Sequence, residues 1–127
     1  MQKRYDQTCP VARTLDLVGD RWTLLIIRDL ALGARRFSDF LANSPGLPPK
    51  VLSQRLKYLI EQAIVARTLE DGFPPRPRYE LTERGETLLP VMQAIGRWGA
   101  ENLYEGEEET RDRVLAAINR ALPGFAG

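Results

Sequence analysis

The sequence contains no histidine and a single cysteine, and these two absences exclude several kinds of chemistry. Histidine is the usual general acid or base near neutral pH and the commonest metal ligand. One cysteine, Cys9, excludes an intramolecular disulfide and every multi-cysteine zinc or iron–sulfur site. The sequence shows no clustered nucleophile and base either. We therefore expect no enzyme activity, no cofactor and no metal.

Long apolar runs are also missing. No segment approaches the ~20 apolar residues of a membrane span, and residues 1–10 hold no apolar core of signal-peptide length. We therefore expect a cytoplasmic protein with no membrane contact. The length of 127 residues, with 43% hydrophobic and 28% charged residues, is typical of one soluble domain, with or without a helical extension.

Overall charge indicates no partner, because 18 Lys+Arg nearly balance 17 Asp+Glu. Any binding to nucleic acid must therefore come from the local placement of charge. The chain has no internal repeat, and only a proline-rich segment and an acidic segment are biased in composition.

Two helices are predicted near the amino end. Pro10 suits the first helical position, where a missing N–H has no cost, after a cap at Thr8 or Cys9. Asp20 is expected to cap a second helix over residues 21–32. This second helix is apolar nearly all round, which predicts burial on several sides and a central place in the core.

A brief helix and a longer amphipathic helix follow. Ser38 is expected to cap the brief helix, which Pro45-Gly46 closes. The amphipathic helix begins at Pro49 and runs to about Gln62, with leucines on one face. Polar side chains on its other face are Lys50, Ser53, Gln54 and Lys57, with Arg55 nearer the core edge.

Alternation of apolar and polar residues over 65–70 and 78–81 then predicts a β-hairpin. Three prolines lie within residues 73–77, and we expect this segment not to pair as a ladder because proline lacks an N–H. The hairpin should therefore have a stiff, projecting, basic tip that carries Arg76 and Arg78.

The remaining sequence predicts two helices. Thr82 should cap a long helix in which Pro90 produces a kink. After an acidic linker, a tail helix covers about residues 110–122, and its apolar stripe would bury nothing if it were left alone. Dimerisation through both helices is the economical explanation. The members of that stripe are Val114, Leu115, Ile118 and Leu122.

The order of elements predicts a mainly α (α+β) fold, a winged helix-turn-helix with C-terminal dimerisation helices. An α-helix fills the major groove of DNA, and its exposed side chains must reach phosphates and base edges. Lys50 lies near a helix start, where backbone N–H groups also favour a phosphate. The stiff tip suits a contact with the backbone or minor groove. The candidate DNA-binding residues are Ser38, Lys50, Ser53, Gln54, Arg55, Lys57, Arg76 and Arg78.

Six short motifs occur in order over residues 8 to 103. They are Cys9-Pro10-Val11, residues 17–22 (LVGDRW), 36–40 (RFSDF), 52–57 (LSQRLK), 79–85 (YELTERG) and Trp98-Gly99. Each is weak alone, but the ordered set resembles the HxlR-type winged helix-turn-helix regulators of bacteria. The resemblance implies a homodimeric transcription regulator that binds palindromic double-stranded DNA. Its DNA-binding domain would be residues 1–104, and residues 105–127 would be a helical extension for dimerisation.

The resemblance also implies that a small molecule or an oxidant acts as effector. Cys9 matches a cysteine that senses oxidants in several members, and a helix N-terminus favours the thiolate. As the only cysteine, it would react with another chain, a small thiol or an electrophile. A small structural residue is the alternative. For Trp22, Met92, Ile95 and Trp98 the alternatives are core, dimer interface and ligand pocket.

Other interpretations stay open at this point. Arg55 is equally suited to a structural ion pair, and Arg76 and Arg78 to a merely solvated loop. A MarR-like or ArsR-like regulator is a rival of the same class, although a metal-sensing ArsR version is disfavoured by one cysteine and no histidine. A winged-helix module that binds a protein is a rival of another class.

Overall fold

The structure is a computed structural model that describes residues 8–121. Within that range the chain is mainly helical with one antiparallel hairpin, as predicted. Leu122, predicted as the end of the tail-helix stripe, lies outside the described residues. The elements are α1 (Pro10–Val18), α2 (Thr23–Ala31), α3 (Phe37–Asn43), α4 (Pro49–Glu61), β1 (Val65–Glu70), β2 (Arg76–Leu81), α5 (Glu83–Glu86), α6 (Leu89–Asn102) and α7 (Glu108–Ala121).

Helix α2 is the centre of the core, which confirms the expectation from its apolar sequence. Ile26 and Ile27 are fully buried, and the helix packs against α3, α6 and β2. The helix begins two residues later than predicted, with Trp22 and not Asp20 at the N-cap. The carboxylate of Asp20 still accepts two N–H groups at the helix start, those of Trp22 (3.0 Å) and Thr23 (3.1 Å).

Helix α3 is capped differently from the prediction. Ser38 lies within its first turn, and the N-cap is Arg36. The carboxylate of Asp39 reaches back to accept the N–H groups of Arg35 (3.0 Å) and Arg36 (2.9 Å). These two bonds hold the pKa of Asp39 below its ordinary value of 3.8, because they stabilise the carboxylate. Asp39, and not Ser38, is therefore the residue whose side chain caps the N-terminus of α3.

Helix α4 confirms the amphipathic pattern. Leu52, Leu56 and Leu59 are buried. The turn that connects α3 to α4 contains Gly46 with φ at 92°, a left-handed conformation that glycine adopts without strain.

The hairpin pairs Val65 with Leu81 at its base and Glu70 with Arg76 near its tip. The prediction that residues 73–77 do not pair was wrong for Arg76 and Pro77, since Pro77 lies opposite Leu69 in the ladder. Both strands of a two-stranded sheet are edges, so a proline whose missing N–H would point outward is accommodated. The tip is consequently shorter than predicted.

Pro90 interrupts the long helix instead of kinking it. The segment α5 ends at Glu86, and α6 begins at Leu89 with Pro90 in its first turn. A proline inside a helix clashes with the carbonyl group four residues earlier, which here belongs to Glu86, whereas the first turn tolerates it. Two helices therefore replace the single predicted one.

The tail helix α7 packs against α6 of the same chain. A Cβ atom added at Gly96 would lie 2.9 Å from Ile118 Cδ1, so the glycine permits this close approach. Val114, Leu115 and Ile118 are half-buried. The expectation that this helix buries nothing without a second chain was wrong, because α6 supplies a partner.

Candidate nucleic-acid interface

The outward face of α4 carries a stripe of exposed polar side chains. Lys50, Ser53, Gln54 and Lys57 are all exposed, opposite the three buried leucines. The stripe spans about 10 Å along the axis at the ~1.5 Å rise of an α-helix. Lysine, serine and glutamine side chains at this spacing offer donors and acceptors for phosphates and base edges. Ser38 is also exposed, on the first turn of α3.

Arg55 is set apart from this stripe by its contacts. Its Nη2 lies 3.2 Å from Asp20 Oδ1, its Nε donates to Thr23 Oγ1 (3.0 Å), and its side chain is only 16% exposed. Its guanidinium also lies 4.7 Å from the centroid of the Tyr58 ring. Of the two interpretations of Arg55, a structural ion pair or a contact with DNA, these contacts favour the structural ion pair. Through them Arg55 fastens α4 to the start of α2.

Arg78 does not lie on the hairpin tip. It is inside β2, where its Nε donates to Glu80 (3.1 Å) and its Nη1 to Glu70 (3.4 Å). These two acids, Glu80 first, raise the pKa of Arg78. Glu70 also pairs with Arg36. The charges on this face of the hairpin therefore compensate one another, and the predicted basic tip was wrong for Arg78.

Arg76 remains at the tip end of β2, with an exposed side chain. Arg67 on β1 is a second exposed arginine of the hairpin, and it was not among the candidate residues. The alternation over residues 65–70 gave no signal for this residue, because it set Arg67 on the same face of the strand as Val65, which is buried.

One backbone hydrogen bond and two hydrogen bonds of the Thr82 side chain hold the hairpin in place. The Tyr79 N–H donates to the carbonyl oxygen of Arg35 (2.8 Å), just before α3. Thr82 Oγ1 donates to the Ala63 carbonyl (2.6 Å) and accepts the Gly85 N–H (2.9 Å). A Cβ atom at Gly85 would lie 2.2 Å from the Ile64 carbonyl oxygen, so only glycine fits there. These bonds fix the hairpin relative to α3 and to the residues that follow α4, and α4 itself packs against β1.

The four residues proposed for a pocket or interface are not together. Met92 and Ile95 line a cavity of about 380 Å³ between α2, α6 and α7. Trp22 is half-buried against the core, with the Arg21 guanidinium 5.1 Å from its ring centroid. Trp98 is 60% exposed and does not line the cavity.

Gln93 also lines this cavity, and the sequence reasoning missed it. It is buried in α6, seven residues before the buried Ala100. A polar residue in helical register with buried apolar positions was the signal that could have identified it.

Cys9 occupies the N-cap position of α1, where its carbonyl oxygen accepts the Arg13 N–H (3.0 Å). The cysteine is exposed and not in a disulfide. Across residues 8–121, no three or more cysteine or acidic side chains are arranged to hold a metal ion. Nor does that part of the chain include a helix of the length and apolarity that crossing a bilayer requires.

Relatives of known sequence are HTH-type transcriptional regulators of bacteria. One from Mycobacterium bovis is 43% identical over 97 residues, which are 76% of this chain and 61% of that protein. The match thus spans about three fifths of the mycobacterial relative. YvaP of Bacillus subtilis is 36% identical over 96 residues, which are 75% of this chain and 89% of YvaP.

Solved structures with the same fold include two redox-related regulators. The oxidised form of the redox regulator HypR aligns with a TM-score of 0.70 at 34% identity, covering 74% of this chain and 97% of HypR. The reduced form of the transcriptional regulator YodB from B. subtilis aligns with a TM-score of 0.64 at 34% identity, covering 76% and 96%. The fold is that of winged helix-turn-helix transcription factors. Residues 17–107 match the family described as HxlR-like helix-turn-helix, and this chain belongs to that family.

Proposed function

We propose that the protein is a homodimeric, sequence-specific DNA-binding regulator of transcription. The observation that carries the proposal is the exposed polar stripe of α4, on a helix whose other face is buried in the core. Arg55 and Asp20 fix the orientation of that helix. A helix held in this way can enter a major groove without reorganising the fold, which lowers the cost of binding.

The side chains of the stripe have two roles, contact with base edges and contact with phosphates. Ser53 and Gln54 offer hydrogen bonds to base edges, whereas Lys50 and Lys57 neutralise phosphates. Arg76, at the end of the hairpin, reaches a neighbouring phosphate or the minor groove. Specificity thus rests on two uncharged side chains and affinity on a small number of cations, which agrees with the near-neutral charge of the chain.

Two exposed apolar stripes support a dimer. Val91, Ile95 and Trp98 recur at helical spacing on one face of α6, and all three are exposed. Val11 and Leu15 form a shorter exposed stripe on α1. Apolar stripes of this kind are unfavourable in water and are typical of an interface. A two-fold dimer would set two α4 helices about 34 Å apart, one helical turn of DNA, and would read a palindrome.

The exposed thiol of Cys9 supports a response to oxidants or electrophiles. Two of the similar structures are a redox regulator in its oxidised form and YodB in its reduced form. Because Cys9 is the only cysteine, oxidation would link two chains or attach a small thiol. Redox sensing through Cys9 is thus one proposed input to the regulator.

Selection of bound fragments from random duplex DNA tests the DNA-binding proposal directly. We expect an enriched sequence with two-fold symmetry, bound by a dimer. The Lys57→Ala variant should weaken binding to every duplex and lower the slope of log affinity against log salt by about one. Arg120→Ala, which removes an exposed cation on α7, is the matched control and should change neither.

Two results would contradict the proposal. A protein that enriches no sequence and is displaced from all duplexes by competitor DNA would favour the protein-binding module instead. If Lys57→Ala and Arg120→Ala have the same salt dependence as the unaltered protein, Lys57 does not contact a phosphate.

A further inference from the structure

The turn between β1 and β2 carries Phe73, the most exposed large apolar residue of the described chain. Its side chain is fully exposed, so the fold covers no part of the ring. Pro74 and Pro75 follow it directly and are exposed as well. Proline fixes its own φ angle, so this hairpin tip, residues 71–75, loses little conformational entropy when it docks on a partner. The ring is therefore placed to contact a second molecule.

The paired part of the hairpin is braced as far as its last residue pair, Glu70 and Arg76. Glu70 pairs with Arg36, which is the N-cap of α3, and with Arg78 at 3.4 Å across the hairpin. The hairpin tip therefore leaves the fold near the start of α3. That helix start also carries the exposed Ser38, a candidate contact with DNA.

The length of the strands sets how far the hairpin tip can reach. The strand β1 covers about 17 Å at ~3.4 Å per residue, and it follows α4 and packs against that helix. With α4 in a major groove, the adjacent minor groove lies about half a helical turn away, or ~17 Å along the duplex. The hairpin is therefore long enough to bring Phe73 to that minor groove.

The charges of the hairpin tip are nearly balanced. Arg76, directly after the tip, is exposed and forms no ion pair within residues 8–121. Asp71, at the other end of the tip, is exposed too and carries the opposite charge. Attraction to phosphates is therefore weak here, and the apolar ring is the main group that the tip offers to DNA. An apolar side chain close to an arginine is a combination that minor-groove binding proteins use.

We propose that Phe73 is a wedge that enters the minor groove and separates two stacked base pairs of the operator. This inference rests on the proposed DNA-binding function and adds a specificity-determining residue to it. Phenylalanine acts as such a wedge in proteins that kink DNA from the minor groove. The pyrimidine–purine steps TA and CA/TG unstack most readily. Phe73 therefore selects such a step at a position that α4 does not contact.

Permanganate footprinting of the selected duplex tests for the separated step, because permanganate oxidises unstacked thymines and each of these steps contains a thymine. With the unaltered protein we expect at least one reactive thymine in each half-site. Phe73→Ala should leave that thymine as unreactive as in free DNA. Phe73→Leu should restore the reactivity, since leucine also serves as a wedge. Both variants should keep the melting temperature of the unaltered protein, because the ring is not packed in the fold.

Binding measured across a series of salt concentrations separates the wedge from the cations. Phe73→Ala should weaken binding to the selected duplex about tenfold, as for the loss of one stacked base, and leave the salt slope unchanged. Arg76→Ala should weaken binding and lower the slope by about one. Leu69→Ala is the matched control, because Leu69 is an exposed apolar residue of β1 outside the hairpin tip. It should bind the duplex as the unaltered protein does.

Three results would overturn the wedge while DNA binding stands. These are no reactive thymine with the unaltered protein, the same reactivity with Phe73→Ala, or equal losses of affinity in Phe73→Ala and Leu69→Ala. A Phe73→Ala variant with a lower mass in light scattering without DNA would assign the ring to a contact between two chains instead. If the unaltered protein binds no duplex, the proposed function fails and the wedge with it. Lys57→Ala should keep the reactive thymine at saturating protein concentration, since α4 does not form the separated step.

Discussion

Replacing Arg55 with methionine tests whether this side chain braces α4 or contacts DNA. Methionine keeps the apolar stem that packs at the core edge and removes the guanidinium. The variant therefore loses the ion pair with Asp20 and the hydrogen bond to Thr23 Oγ1. Asp20 keeps its two bonds to the backbone at the start of α2.

The expected loss of stability follows from the burial of the pair. Removal of one partner from a fully buried ion pair costs about 3–5 kcal/mol. Here the side chains of Arg55 and Asp20 are 16% and 21% exposed, and water partly replaces the lost contact. We therefore expect a decrease of about 2 kcal/mol in the free energy of unfolding. For a chain of this length that corresponds to a decrease of about 8 °C in melting temperature.

Urea denaturation and DNA binding across a series of salt concentrations measure the two roles separately. Arg55→Met should lower the urea midpoint and leave the salt slope of DNA binding unchanged. Lys57→Ala should do the opposite, with stability within about 0.5 kcal/mol of the unaltered protein, since Lys57 is exposed. An Arg55→Met variant with normal stability and a slope reduced by about one would refute the brace and make Arg55 a phosphate contact.

Three further changes test other contacts. Asp39→Asn removes a carboxylate whose pKa is lowered in the fold, so its contribution is complete above pH 3.8 and is lost as the pH falls through the lower value. When the pH is lowered from 5 to 3, the urea midpoint should therefore decrease less in Asp39→Asn than in the unaltered protein. An equal decrease in both proteins would contradict the capping role of Asp39. Gly85→Ala should lower the free energy of unfolding by about 2 kcal/mol, because its Cβ would meet the Ile64 carbonyl oxygen. Gly99→Ala is the control, since its Cβ would have no contact under 3.9 Å, and thermal melts should show it to be as stable as the unaltered protein or more stable. Trp98→Glu should halve the mass in light scattering, because the ring is exposed in the single chain, and its melting temperature should no longer depend on protein concentration. A dimer of unchanged mass would remove α6 from the interface.

Most element boundaries were predictable because they depend on local chemistry. The carboxylate of Asp20 before α2, the proline at the start of α1 and the leucine face of α4 each lie within a few residues of the structure they determine. The break near Pro90 was located correctly but its outcome was wrong. The clash of a helical proline with the carbonyl group four residues earlier can be relieved by a kink or by a break, and the sequence pattern does not distinguish the two.

Contacts between side chains that are far apart in the sequence could not be predicted. Arg78 pairs with Glu70 only because the strand register sets Glu70 diagonally across the hairpin. Arg55 meets Asp20, 35 positions earlier, only after α4 folds against α2. Ile118 packs against Gly96 of the same chain. This contact could not be predicted, because a glycine has no side chain that would mark an apolar contact surface in the sequence.

The separation of the two faces of α4 has a consequence for how such proteins diversify. Its leucines and Arg55 hold the helix in place, while Ser53 and Gln54 point to solvent and support no other part of the described chain by burial. Under the proposed DNA-binding function, substitutions at these two positions would change which bases are contacted with little effect on folding. Related proteins of this kind could thus acquire different DNA targets while they keep the same fold. A laboratory library randomised at these two codons should yield folded proteins with altered operator preference.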